Sequence, residues 1–575
     1  MTVAEFMQHA LLHPQYGYYS QPMRDSKSES KIDDDGDDDD DDDEDWFKDD
    51  VDGNDNDNKK RTNPIFGPRG DFVTAPEICQ VFGESIQVWM VTQWEAMGKP
   101  KAFQFVEFGP GRGTLMADMV QFALAAAATT VTTTTTTTSS TSSEHLQDYG
   151  KALRAIHLIE PSRPLRQKQQ ATLQERLSGL VEWKFHNPAS QKHKEDGFYD
   201  SVEKDSQSRN HSTVAAATTT TTKPTIHVYW HDSFASVSAM IMRRKQGNLG
   251  HSAVDSAGEA APTTAMKNSE DHDIADLPMF VVCQEFFDAL PVHAFEMTEE
   301  GWRERMVDMA IRDELLEDED EASANATAEG DAETKHKTTL SNESTALRDK
   351  KRPRLRIVLA PEVTPALKTL LHVDEEGRTL GDIQADIGQV VEVCPEGILL
   401  IQDVASLLEK IGGAALVVDY GEEGSADSLR GFWKHQQVNF LSLPGQTDVT
   451  ADVDFTALKH SVNHTRLNRI EQRMTSHSTS YNGSKLDETK EVIKAYGPVS
   501  QGKFLVSMGA RERVINCIEL DSTSDEEAED LFHALERLVA PEEMGTRYKV
   551  LALAAVRTKK EINGSYKVAP AGFSS

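Results

Sequence analysis

The chain has 575 residues and a formal charge of −35, with 95 Asp and Glu against 60 Lys and Arg. Residues 33–57 hold 17 acids against Lys48 and account for −16 of that charge; the −19 left over argues against a nucleic-acid partner, whose phosphates need a basic face. Cys79, Cys283, Cys394 and Cys517 lie far apart with no C-x-x-C pair, so neither a disulfide framework nor a metal site is expected, and no apolar run reaches the roughly 18–20 residues of a membrane helix.

The N-terminal MTVAEFMQHALLHPQYGYYS lacks the Arg-rich, acid-poor composition of a transit peptide; its first Lys or Arg is Arg24. It reads as the N-terminal part (1–24) of a catalytic domain. An acidic insert over 25–62 follows, too densely charged to bury a core and therefore expected to be disordered. The domain then continues over 63–575. It is interrupted near 125–143, 188–224, 244–276, 312–350 and 463–490 by stretches poor in large apolar residues, which cannot offset the entropy of ordering. Such insertions cost little, because closure entropy grows only logarithmically with loop length.

Between the inserts the apolar runs alternate in type. FQFVEFG (103–109) reads as a buried strand and TLMADMVQFAL (114–124) as a helix with Leu115, Met119 and Phe122 near one face. AIHLIEP (155–161) is a second strand, and RPLRQKQQATLQERL (163–177) a second helix. IHVYWHD (226–232), MFVVCQEFFDAL (279–290) and AALVVDYG (414–421) begin as strands and end in acids. Strands separated by helices predict an α/β fold with a parallel sheet covered on both faces. Ligands of such sheets sit at the carboxyl ends of the strands, so the polar strand ends are where chemistry is expected.

The first strand runs into VEFGPGRGT (106–114). A P-loop requires a lysine that is absent here. A dinucleotide G-x-G-x-x-G fails because Thr114 stands where the third glycine is needed. The E-x-G-x-G-x-G turn of S-adenosylmethionine-dependent methyltransferases fits without gaps through Glu107, Gly109, Gly111 and Gly113. Glycines let the cofactor's amino-acid tail lie against the backbone, and the acid can meet its ammonium group. A plain glycine-rich strand-to-helix turn remains the alternative. Glu160, ending the second strand, is placed to accept ribose hydroxyls. Asp232, ending the third, is a candidate for the adenine amino group, or simply a surface acid; the neighbouring His231 receives no role. After the fourth strand, Glu285 and Asp288 share a face if the segment turns helically, and suggest a polar acceptor. They could equally be favourable helix-start acids.

On these residues the sequence resembles the MidA family. The resemblance rests on HPQYGYY (13–19), GDFVTAPEICQVFGE (70–84), VEFGPGRGTLMADM (106–119), QEFFDALPVHAF (284–295), GWRERMV (301–307), LVVDYG (416–421), RGF (430–432), DVTADVDF (448–455) and MGTRYKVLALA (544–554). It implies a Rossmann-like class I methyltransferase sheet with an additional subdomain, and S-adenosyl-L-methionine as cofactor. It further implies symmetric dimethylation of an arginine in a core subunit during assembly of mitochondrial complex I, in the matrix. The acids Glu285 and Asp288 are then expected to hold the acceptor guanidinium. The rival expectation is an assembly chaperone that binds the cofactor with little or no methyl transfer, since fold alone never proves activity.

Overall fold

The computed structural model describes residues 1–20, 24–25, 62–63, 74–128, 140–186, 223–249, 274, 277–310, 355–379, 385–434, 436–464, 492–520, 522–561 and 564–573. The acidic stretch between 25 and 62, and most of the five low-complexity stretches, lie outside these residues. Helix nevertheless extends into the margins of two of them. It runs to Ala128 and restarts at Ser140 around the first, and runs to Leu249 at the start of the third. The alanine run at 125–128 explains the first extension, alanine being the strongest helix former.

In chain order the first half comprises α1 (Val3–Leu12), α2 (Ala75–Ile78), α3 (Gln80–Ala96), β1 (Phe103–Phe108), α4 (Thr114–Ala128), α5 (Ser140–Ala152), β2 (Leu153–Ile159), α6 (Arg163–Arg176), β3 (Glu182–His186), β4 (Thr225–His231), α7 (Phe234–Leu249) and β5 (Met279–Gln284). Then come β6 (His293–Thr298), β7 (Gly301–Met309), β8 (Leu355–Leu359), α8 (Pro365–Leu370), β9 (Val390–Val393), α9 (Pro395–Ile411) and β10 (Gly413–Glu422). The main elements that follow are β11 (Arg430–Trp433), β12 (Gln436–Val438), β13 (Asp448–Thr450), β14 (Val453–Asp454), β15 (Ile493–Ser500), α10 (Gln501–Ser507), α11 (Ala510–Ile518), α12 (Asp525–Val539) and β16 (Tyr548–Ala555), before a C-terminal hairpin of Arg557–Glu561 with Gly564–Val568.

The central sheet has the order β15-β16-β10-β5-β1-β2-β4-β3, with β14 paired to the end of β10. From β10 to β3 every neighbouring pair is parallel, and β16 runs antiparallel to both of its neighbours. Residues along each strand alternate between two apolar layers. Phe103, Phe105, Phe280, Val282, Leu416 and Val418 face a layer with α3 and α4, around Trp89, Phe82 and Met116. Val106, Phe108, Val281, Cys283, Ala415 and Val417 face the opposite layer, with Val237 of α7 and Ile401 and Leu408 of α9. Burial on both faces is why these strands read as unbroken apolar runs in the sequence.

Between β5 and β10 the chain builds a second, antiparallel sheet of order β8-β7-β6-β9. Helix α1 docks on this unit, away from the elements that follow it in sequence. A capping box between Thr2 and Glu5 starts the helix, and Val3, Phe6, Met7, Ala10 and Leu11 bury one face. They pack against Ala294, Val307, Val449 and Ala451. The N-terminal segment thereby joins the added sheet to the short β12-β11-β13 sheet. Among the described residues no helix is long and apolar enough to cross a membrane.

Phe6 is buried and meets the Phe440 ring edge-on, with centroids 6.0 Å apart. Phe6→Ala is expected to destabilise the protein by about 3–5 kcal/mol, the usual cost of truncating a core aromatic. Urea unfolding measures this, and a change below about 1 kcal/mol would mark α1 as a loosely attached arm.

Candidate active site

The carboxyl ends of β1, β2, β4, β5 and β10 open onto one cavity of about 680 Å3. Its wall includes Glu107, Gly109, Gly111, Glu160 and Asp232 at one end and Glu285, Asp288, Tyr420, Asp448 and Tyr548 at the other. The five residues expected from the sequence at the cofactor, apart from Gly113, therefore converge with Glu285 and Asp288 on a single space.

At the first end the chain turns sharply. Gly109, Gly111 and Gly113 have φ of +56°, +51° and +85°, the left-handed region that favours glycine. The turn is also crowded: a Cβ on Gly109 would stand 3.0 Å from the Phe286 ring, and one on Gly113 3.2 Å from Cα of Gln169. Gln169 of α6 is fully buried and ties the turn to its surroundings. Its Nε2 donates to the Gly111 carbonyl at 2.9 Å and to Glu160 Oε2 at 3.2 Å, while its Oε1 accepts from Trp230 Nε1 at 2.9 Å. Glu160 also accepts from the Ser162 amide at 2.8 Å. Arg166 donates to the Glu160 carbonyl and to the Asp232 carboxylate. Asp232 itself is 77 % exposed and sits at the rim. Beneath it His231 is chained at 2.9 Å to His157, which meets Gln104 Oε1 at 2.9 Å; burial lowers the His231 pKa to about 4, so His231 is neutral in this chain.

Glu107 differs from its neighbours. It is 3 % exposed, and its Oε2 has no hydrogen-bond partner among the described residues. Burial, with Asp118 adding repulsion, raises its pKa to about 8. Burial likewise raises Glu160 to about 7. An orphaned, buried carboxyl oxygen beside a side-chain-free turn fits a ligand that brings its own cationic donor, as the amino-acid tail of S-adenosylmethionine does.

At the other end the segment after β5 departs from expectation: residues 285–290 form turns and not a helix. The cause is Asp419 of β10, fully buried, whose Oδ2 accepts from the amides of Phe286, Phe287 and Asp288 at 3.1, 2.9 and 3.4 Å. Those amides are gathered around one carboxylate, and Glu285 takes a φ of +47°, rare for a residue with a side chain. Glu285 and Asp288 therefore owe their common direction to this turn and not to helical spacing. Tyr420 donates to Asp288 Oδ2, while Asp288 Oδ1, in a residue only 6 % exposed, has no partner among the described residues. Burial, with Asp288 next in effect, raises Glu285 to about 8, and burial also raises Asp288 above the ordinary carboxylate range.

Sequence reasoning missed Gln169, Asp419, Tyr19 and Asp448. The Tyr19 hydroxyl donates to Asp448 Oδ1 at 2.9 Å, and both line the cavity. The acid at the end of LVVDYG was visible as a strand terminus, but nothing local showed that it would capture amides more than 130 residues away.

A parallel sheet in this order, closed by an antiparallel strand and carrying a glycine turn after its first strand, is the class I methyltransferase arrangement. A family model described as an S-adenosyl-L-methionine-dependent methyltransferase matches residues 85–471. The chain belongs to that family, the MidA family its motifs resemble, and S-adenosyl-L-methionine is its cofactor. It is similar to the mitochondrial protein arginine methyltransferase NDUFAF7 of Danio rerio, 27% identical over 100% of this chain and 88% of that one. The Rattus norvegicus protein of the same name is 28% identical over 85% and 75%. A crystal structure of a Burkholderia thailandensis protein bound to S-adenosyl-homocysteine is 17% identical, with a TM-score of 0.49 and coverage of 96% and 87%.

Two outcomes follow from the turn and its acid. Valine at position 111 combines a branched Cβ with a positive φ, so Gly111→Val is expected to weaken S-adenosylmethionine binding more than about tenfold while the fold persists. Calorimetric titration decides, and wild-type affinity in a folded variant would refute the assignment. The second outcome concerns pH. The folded pKa values of Glu107, Glu160 and Glu285 lie above their ordinary 4.5. A carboxyl raised in this way favours the folded state at low pH and loses that contribution as pH rises from about 4.5 to about 8. The free protein's melting temperature should fall across that window, more shallowly in Glu107→Gln; equal slopes in the two proteins would show that Glu107 is ionised throughout.

Proposed function

We propose that this protein transfers the methyl group of S-adenosylmethionine to an arginine of a protein substrate, with Glu285 and Asp288 holding the guanidinium. The observation that carries the proposal is Asp288 Oδ1, buried at the acceptor end with no hydrogen-bond partner among the described residues. A buried carboxylate left in this state is costly unless a cation completes it. Guanidinium does so with several donors in one plane. The name shared by the relatives, protein arginine methyltransferase, supports the same acceptor.

The remaining roles follow the geometry. Gly109, Gly111 and Gly113 bring the backbone against the methionine tail, and Glu107 takes its ammonium group. Glu160 binds the ribose hydroxyls, and Asp232, held by Arg166 at the rim, receives the adenine amino group. When bound, the cofactor supplies a methyl group on a positively charged sulfur. A guanidinium is a poor nucleophile because it is protonated and delocalised. Glu285 and Asp288 fix its plane and draw positive charge toward themselves, away from the attacking nitrogen. Methylation of a guanidinium that stays cationic releases one proton, and Glu285, whose site favours the protonated carboxyl, accepts it. Aromatic walls from Tyr420 and Tyr548 exclude water, so positioning and electrostatics provide most of the rate.

The proposal extends to place and target. The relatives' names support a mitochondrial location. The family resemblance supports the matrix and symmetric dimethylation of a core subunit during complex I assembly. The proposed domain is one methyltransferase unit spanning the chain, with the low-complexity stretches as insertions.

Glu285→Gln is expected to slow turnover roughly 10–150-fold, since a charge-assisted hydrogen bond contributes about 1.5–3 kcal/mol. Cofactor affinity should stay within about twofold, because the residue is assigned to the acceptor. The assay is methyl incorporation into an arginine-bearing peptide, beside a cofactor titration on the same preparation. An unchanged rate would remove these acids from the acceptor site. No incorporation by a wild type that still binds cofactor would favour the chaperone instead.

A further inference from the structure

The acceptor end has a wall that the two acids do not account for. Asp448 opens β13, in a different sheet from the β5 loop that carries Glu285 and Asp288, and it is buried where it meets the same cavity. Tyr19, seven residues beyond the end of α1, holds it through the 2.9 Å hydrogen bond from its hydroxyl. These groups are close enough to act on one another. Asp448 and Asp288 both help to raise the Tyr19 phenol after burial has done so, and Asp448 adds to the rise at Glu285.

Positive charge is scarce at this end. Arg430 stacks over the Tyr420 ring at 4.8 Å and favours the Asp288 carboxylate without bonding to it, while its Nη2 is committed to Asp452 at 2.6 Å and its Nη1 to the Ser428 carbonyl at 2.9 Å. Asp288 lines the cavity, is more than nine-tenths buried, and its Oδ1 has no partner among the described residues. The group expected here is therefore a cation, and its shape is constrained by where the acids come from. Asp448 and Asp288 come from two separate elements and line the same cavity. A guanidinium presents donors along several edges of one plane, whereas an ammonium concentrates three donors at a point. Tyr548 stands edge-on to Tyr420 with ring centroids 5.5 Å apart, which gives a flat cation an aromatic face to lie against.

Resting on the arginine-acceptor reading above, we propose that Asp448 is a third carboxylate touching the substrate guanidinium, that Tyr19 is the positioning residue that aims it, and that the pair makes the site prefer arginine to lysine. The N-terminal segment is then part of the acceptor site.

The test uses the full chain loaded with S-adenosylhomocysteine and two peptides identical except for one arginine or lysine. Fluorescence anisotropy on this complex gives peptide binding, and methyl incorporation with S-adenosylmethionine supplied in place of S-adenosylhomocysteine gives KM and kcat. The wild type should bind the arginine peptide more tightly. Asp448→Asn should raise its Kd and KM about tenfold or more, the scale of one charged hydrogen bond, and narrow the gap between the two peptides. Tyr19→Phe keeps the ring and should give a smaller rise, about threefold, with kcat little changed. S-adenosylhomocysteine affinity serves as the control for folding; if Asp448→Asn fails it, Tyr19→Phe alone decides. Unchanged Kd in the folded variants overturns the proposal, as does an equal loss for both peptides. A wild type that binds the arginine peptide without methylating it defeats the transferase reading, yet leaves this inference to the Asp448→Asn binding result. A wild type that binds neither peptide defeats both.

Discussion

Carboxyl groups buried without a cationic partner are the constraint on which this active site depends. A carboxylate taken out of water costs free energy that the rest of the fold must offset, and the usual outcomes are pairing or neutralisation. Glu107 and Asp288 have neither pairing for their inner oxygens nor open water. Glu107 lies near the end of β1 between two apolar layers, and Asp288 lies four residues beyond β5 in a buried turn. Both also lie where a cationic ligand would complete the pairing. The protein is thus built around two incomplete ionic contacts, one at each end of a shared cavity.

Holding such groups still requires a frame, and the frame is made of neutral or fully satisfied polar residues. Gln169 uses both ends of its amide to bind the glycine turn, Glu160 and Trp230 at once. Asp419 accepts from four backbone amides, counting that of Tyr420. Burial pushes its carboxyl well above the ordinary carboxylate range, and the amides that partly offset this also shape the 285–288 loop. The added β8-β7-β6-β9 sheet and the docked α1 do the same on a larger scale, bringing segments distant in sequence to the mouth of the cavity.

Legibility in the sequence followed the range of the interactions. Strands buried on both faces announce themselves as apolar runs, and a glycine turn that must admit a ligand has a fixed spacing, so β1, the turn and the parallel sheet were readable. Glu160 and Asp232 reach the cavity because they follow the ends of parallel strands. The shape of the 285–288 segment was not readable, because the helical spacing of its two acids competes with a carboxylate on another strand. Gln169 looks like any polar residue of a helix until Trp230 and Gly111 are brought beside it. Tyr19 and Asp448 belong to motifs that mark the family, HPQYGYY and DVTADVDF, but their pairing is a tertiary fact with no local signature.

The contact between Gly109 and Phe286 ties the two halves of the site together. The ring occupies the space where a side chain at position 109 would begin, and the residue before it is Glu285. A shift of the glycine turn toward this ring therefore presses on the loop that carries Glu285, and the reverse holds as well. The turn and the loop form a single mechanical unit, in which neither can be reshaped without re-cutting the other.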